Sequence, residues 1–177
     1  MPTHLIIDGY NLLGALGQVG AGQGSRADSG REQLIRDLAA YRQRKAHALT
    51  VVFDGWQHGA GTEHHEHRAG VQVIYSRRGE RADQVIQRLV RDFGSACAVV
   101  SSDHEIVNYA RNQGALVIAA TEFVTRLDHA RTAHSISTLG GKKQEDDLLP
   151  SRPLTKKGNP RKLPKAIRKR NRQLRQF

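Results

Sequence analysis

The chain has 177 residues, a single cysteine, 38% hydrophobic residues and a formal net charge of +11. One cysteine excludes an internal disulfide and points to the cytoplasm; no apolar run approaches the ~20 residues of a membrane span, and no secretory leader is read at the start. The charge is segregated, with 17 Lys+Arg against 17 Asp+Glu in residues 1–150 and 11 Lys+Arg without any acid in 151–177, so a near-neutral domain with a basic arm expects an anionic polymer as partner, RNA before an anionic membrane.

The first element is Leu5-Ile6-Ile7, an apolar run closed by Asp8, Gly9, Tyr10 and Asn11. It reads as a buried strand ending in an acid, at the strand end where open α/β sheets place their ligands. Residues 14–29 are glycine-rich and lack the Gly-Lys-Ser/Thr of a phosphate-binding loop, so a mobile loop is expected. Ser29 and Glu32 have capping-box spacing ahead of Leu34, Ile35, Leu38 and Tyr41, which predicts a helix over 30–45. Residues 48–53 form a second strand, again closed by an acid, Asp54. Residues 55–70 read as a loop and 71–75 as a third strand.

The clearest helix follows, with Ala82, Val85, Ile86, Leu89, Val90 and Phe93 at helical spacing and Asp83 in its first turn. Residues 96–100 make strand four, closed by Ser101-Ser102-Asp103. A helix with Ile106, Val107 and Ala110 stops at Gly114, strand five covers 115–119, and Thr121 is expected to cap a last helix over 122–127. Alternation of this kind implies a parallel sheet with helices on both faces. The expected order is 3-2-1-4-5, with Asp8 and Asp103 facing each other where the order reverses. The globular domain is expected to span 1–135 and the basic extension 136–177.

Asp8, Asp54 and Asp103 each close a strand, and Asp83 opens a helix. Any one alone is an ordinary turn former or helix cap. Together on one crevice they repel unless a cation compensates them, and Mg²⁺ or Mn²⁺ suits such oxygen donors. A site of that kind binds phosphate oxygens and activates water without a protein nucleophile. Asn11 and Ser102 are suited to orient an acid or a water, and His4 and His104 are placed near the same edge.

The set IIDGYN, VVFD, ERADQVIQRLV and VVSSD, in this order over residues 3–127, resembles the NYN branch of the PIN-like nucleases, and within it the YacP-like ribonucleases. The resemblance implies a PIN-like three-layer α/β/α fold and metal-dependent endonucleolytic cleavage of RNA, for the YacP-like group messenger RNA on the ribosome. It assigns Asp8, Asp83 and Asp103 as metal ligands, with Asp54 and Asn11 as supporting polar positions. Gln84 departs from it, because relatives often carry another acid there.

Beyond those residues, Arg77, Arg78 and Arg81 precede Asp83 and are placed to meet an RNA backbone. The basic arm supplies Lys156, Lys157, Arg161, Lys162, Lys165, Arg168, Lys169, Arg170, Arg172 and Arg175 for messenger or ribosomal RNA. It is expected to be disordered in isolation, with a helix available from Pro164 that carries Leu163, Ile167, Leu174 and Phe177 near one face. Glu63-His64-His65-Glu66-His67, with His58 nearby, reads as a solvated loop, although His64 and His67, or Glu63 and His67, could share a helical face and hold zinc. The expected function is a divalent-metal-dependent endoribonuclease. The alternatives are an RNA- or ribosome-binding protein with a vestigial site, and a small-molecule phosphohydrolase, which needs no basic arm.

Overall fold

A computed structural model describes residues 3–18, 25–45, 47–55, 62–128 and 165–174. A six-stranded sheet of β1 (His4–Asp8), β2 (Ala48–Phe53), β3 (His64–Arg68), β4 (Val71–Tyr75), β5 (Cys97–Val100) and β6 (Leu116–Ile118) has the order β3-β4-β2-β1-β5-β6. Every pairing is parallel except that of β3 with β4. The interior strands are mostly apolar because both of their faces are covered, with His4, Thr50 and Gln72 hydrogen-bonded in a row across three of them. Leu5, Ile7, Val51, Phe53 and Val73 pack into one core, and Ile6, Val52, Ile74 and Val99 into the other.

Helices α1 (Gly9–Ala15), α2 (Ser25–Arg44) and α5 (120–128) serve the first core; α3 (Ala82–Phe93) and α4 (His104–Asn112) serve the second. The stripe read on α3 is buried at Ala82, Val85, Ile86 and Val90. None of the helices among the described residues is long and apolar enough to cross a membrane.

The five expected parallel strands take the expected order, with the reversal at β1 beside β5. The reading of 55–70 as one loop fails at 64–68. There the chain forms β3, turned into β4 by Ala69 and Gly70, both at positive φ, as a two-residue hairpin requires. Its residues are charged or polar because it is a sheet edge, where such side chains block further pairing. Glu63 and His67, or His64 and His67, therefore share no helical face.

The expected loop over 14–29 is corrected at both ends, because α1 begins directly after Asp8 and α2 begins at Ser25. Ser29 lies inside α2, so no helix starts at residue 30. Glu32 instead pairs with Arg68, fastening α2 to β3 (Arg68 Nη2 to Glu32 Oε2, 2.6 Å). Thr121 is likewise inside α5.

The arm contributes α6 (Lys165–Leu174), and this stretch is part of the packed body. Leu174 is buried in the first core. Arg126 of α5 donates through Nη1 to the Leu174 carbonyl at 2.6 Å, and Arg170 pairs with Glu122 at 3.3 Å. Ile167, expected on the same face as Leu174, stays exposed. The expected boundary at 135, Lys156, Lys157, Arg161, Lys162 and Arg175 lie outside the described residues.

Candidate active site

Asp8 ends β1 and at the same time caps α1. Its Oδ1 accepts the Asn11 N–H at 3.1 Å. Its Oδ2 accepts the Ser101 hydroxyl, also at 3.1 Å. Ser101 is fully buried at the end of β5, the strand paired with β1. Its Oγ in turn accepts the Asp103 N–H at 3.1 Å. One hydroxyl thus links two acids that are 95 residues apart in sequence.

Asp103 caps α4, its Oδ1 accepting the N–H groups of Glu105 (2.7 Å) and Ile106 (3.4 Å). Asp54 follows β2 and reaches the first residue of α3, its Oδ1 accepting the Ala82 N–H at 2.6 Å. In both, Oδ2 has no hydrogen-bond partner among the described residues. Asp83, next along α3, pairs with Arg81. The polar position at Gln84 is used locally, its Oε1 accepting the Arg81 N–H at 3.2 Å.

Close backbone approaches fix the two Asp-Gly pairs. A Cβ on Gly9 would stand 2.3 Å from the Phe53 ring, and one on Gly55 would stand 1.8 Å from the Ser76 carbonyl oxygen. The Gly55 N–H meanwhile donates to Ser76 Oγ at 3.1 Å. Only glycine lets these strand ends turn so tightly against their neighbours.

The acids feel one another. Burial pushes the Asp8 carboxyl up to about 6 against the opposing pull of Asn11 and Ser101, and the charges of Asp83 and Asp54 raise it further. Burial also raises Asp83; Arg81 pulls it down, and Asp103, Asp54 and Glu105 push it up. Among the described residues no three potential ligands stand close enough to chelate an ion as they lie, and Asp83 is turned to Arg81. The donor set fits a hard divalent cation nonetheless. It consists of carboxylate oxygens, three of them (one each on Asp54, Asp83 and Asp103) without hydrogen bonds among the described residues, around a buried acid whose hydrogen-bond donors are neutral.

Asn11 holds the two sides of the crevice together, because its Oδ1 accepts the Ser102 N–H at 2.9 Å. Ser102 does not orient an acid. Its Oγ accepts the Ala120 N–H at 3.1 Å and so caps α5; the orienting serine is its neighbour Ser101. His4 is not at this edge either. It begins β1, at the opposite end of the sheet, where it bonds Thr50 Oγ1 at 2.7 Å and lies against the Phe93 ring. His104 opens α4, next to Asp103.

Arg77 and Arg81 are engaged by Glu80 and Asp83, whereas Arg78 is exposed beside them. His65 and His67 project from one side of β3, and His65 bonds Glu63 at 2.6 Å. Neither belongs to a metal-capable group among the described residues. Cys97 is buried in β5, and burial pushes its thiol up to about 11, which leaves it unreactive. A row of rings absent from the sequence reading runs along the carboxyl ends of the strands. Tyr10 packs on Phe53 (5.4 Å between centroids), Phe53 on Tyr75 (5.8 Å) and Tyr75 on His64 (6.1 Å).

Comparison with known proteins agrees with this architecture. The YacP-like NYN domain model matches residues 5–168. The chain is 28% identical over 127 residues to uncharacterized protein YacP of Bacillus subtilis (strain 168), covering 70% of this chain and 74% of that one. The crystal structure of Rae1 (YacP) from Bacillus subtilis aligns with a TM-score of 0.61 at 25% identity, over 76% of this chain and 79% of that one. The structure of a point mutant of that protein, with leucine in place of a tryptophan, aligns with a TM-score of 0.62 at 26% identity, over 79% and 86%. The chain belongs to the YacP-like NYN family, a family of nuclease-like domains.

Proposed function

We propose that the protein is a divalent-metal-dependent endoribonuclease that cleaves messenger RNA in association with the ribosome, in the cytoplasm. The observation that carries this reading is the gathering of Asp8, Asp54, Asp83 and Asp103 at one strand edge, with the buried Asp8 raised to about 6 partly by its acidic neighbours. Such a group is costly without a cation and useful with one.

In this reading Asp8, Asp83 and Asp103 hold Mg²⁺ or Mn²⁺, with Asp83 exchanging Arg81 for the ion. When bound, the ion supplies the positive charge that activates water and stabilises the charge building on a phosphodiester during in-line displacement. Ser101 fixes the Asp8 carboxylate and the start of the Asp103 loop relative to each other. Asn11 keeps β1 and β5 ends from parting, and Asp54 holds the first turn of α3, and with it Asp83, at the crevice. Arg81, once released from Asp83, and the exposed Arg78 are positioned to take phosphate oxygens.

The test is incubation of a long end-labelled messenger RNA with Mn²⁺, with Mg²⁺ or with chelator, free and on ribosomes. Discrete products that require the metal support the reading, and a ribosome requirement supports its finer part. Tight RNA binding with no products under any metal condition replaces it with a binding protein whose nuclease site is vestigial.

A further inference from the structure

The arm helix packs along α5, meeting it at Glu122 and Arg126. Together with the body it walls a cleft of about 470 Å³, lined on the body side by Ser95, Arg111 and the stretch 114–117 and on the α6 side by Lys169, Arg170 and Gln173. Ser95 precedes β5 and Ala115 precedes β6, so the cleft sits at the amino ends of these strands, whereas Asp8 and Asp103 follow carboxyl ends. The length of β5, about 13 Å at 3.3 Å per residue, separates the two sites along the strand direction.

The cleft gathers cations that lack an acidic partner, as Arg36, Arg42 and Arg78 also do elsewhere among the described residues. Arg31, Arg68, Arg77, Arg81, Arg88 and Arg126 of the body are each paired with an acid. Arg111 and Lys169 have no acidic partner among the described residues, and Arg170 shares Glu122 with Arg126. Two uncompensated cations and a third that is half compensated therefore face one concavity, which concentrates positive potential there.

We propose that this cleft is a second RNA site, a phosphate-binding dock that holds a stretch of single-stranded RNA remote from the one being cut. The dock rests on the endoribonuclease reading for its purpose but not for its detection. Arg111 and Lys169 are its charge contacts, and Gln173 and Ser95 supply uncharged polar groups beside them. The arm's role is then to anchor a long substrate at the far pole, not to hand RNA directly to the acids. Short RNA reaches the crevice without it; long RNA gains a second attachment and with it a higher effective concentration at the acids.

The double variant Arg111→Ala/Lys169→Ala in the full chain tests this, with affinity for an RNA of about forty nucleotides measured in chelator against salt. At about 0.7 per neutralised phosphate of a single strand, the slope of log K against log salt becomes shallower by about 1.4, and affinity falls roughly tenfold or more at low salt. Cleavage of a tetranucleotide stays at the wild-type rate, and Arg111→Lys with Lys169→Arg retains wild-type affinity and slope. An unchanged melting temperature certifies the fold of each variant. Unchanged affinity and slope for the long RNA overturn the dock, as does an equal loss of cleavage on the tetranucleotide. Because the binding arm is run without metal, its outcome is independent of whether the protein proves to be a nuclease.

Discussion

Replacing Asp8 with Asn should stabilise the metal-free protein while removing its response to metal. Asp8 is 8% exposed, and its carboxyl is raised from 3.8 to about 6. Between those values the folded state keeps a proton that the unfolded chain has lost, so stability falls as pH rises through this window and is flat above it. At about 1.36 kcal/mol per pH unit the ionised, ion-free carboxylate costs about 3 kcal/mol at neutral pH. Asn has no proton to lose, and its amide can still face Asn11 N–H and Ser101 Oγ. Asp8→Asn should therefore be more stable than wild type by about 1–3 kcal/mol at pH 7, allowing for imperfect amide hydrogen bonds. For a chain of this size that is roughly 2–12 °C in Tm. Urea denaturation in chelator at pH 4 and pH 7 measures it, since the gap between the two proteins should open as pH rises. Adding Mn²⁺ should then raise the wild-type midpoint and leave the variant unmoved. A variant no more stable than wild type at pH 7, with the same gap at pH 4, would refute the argument that Asp8 is held as an uncompensated buried acid.

Other outcomes follow from the same contacts. Ser101→Ala removes the donor to Asp8 Oδ2 and the acceptor for the Asp103 N–H in a fully buried position, and should cost about 1–3 kcal/mol by urea denaturation. Cysteine at that position, with a weak donor, should recover little of the loss. Gly55→Ala drives a Cβ into the Ser76 carbonyl at 1.8 Å; since the obstacle is backbone, it should cost about 3 kcal/mol or more, and a melting temperature within a degree of wild type would show that the Asp54 turn is looser than described.

The parallel core was legible because strands buried on both faces are predominantly apolar runs, and α3 was legible because one face is apolar at strict helical spacing. What escaped reading lacks such contrast. The segment His64 to Arg68 is an edge strand with charged side chains and no apolar alternation, so only the Ala69-Gly70 turn marks it. Helix α1 hides behind Asp8, which serves as strand end and helix cap at once. Glu32, read as half of a capping box, is drawn instead to Arg68, a partner 36 residues away that local spacing cannot reveal. The site was half legible. Acids at strand ends announce a shared edge, but strand direction decides which edge, and it carries His4 to the other one. The pleat decides between Ser101 and Ser102, and it turns the former inward to the acids. Leu174 shows the limit of composition, since this leucine among basic residues is buried in the first core and, with the contacts of Arg126 and Arg170, seats α6 on the body.

Whether these acids perform metal-dependent cleavage is tested most directly by Asp103→Asn. Asn is as good an N-cap as Asp, so the bonds from Glu105 and Ile106 survive and α4 should fold unchanged. What is lost is a negative oxygen at the crevice. With folding verified by an unchanged melting profile, cleavage of end-labelled messenger RNA in Mn²⁺ should fall by about 10²-fold or more, while RNA affinity in chelator stays at the wild-type value. Cleavage at the wild-type rate by the folded variant would contradict the account.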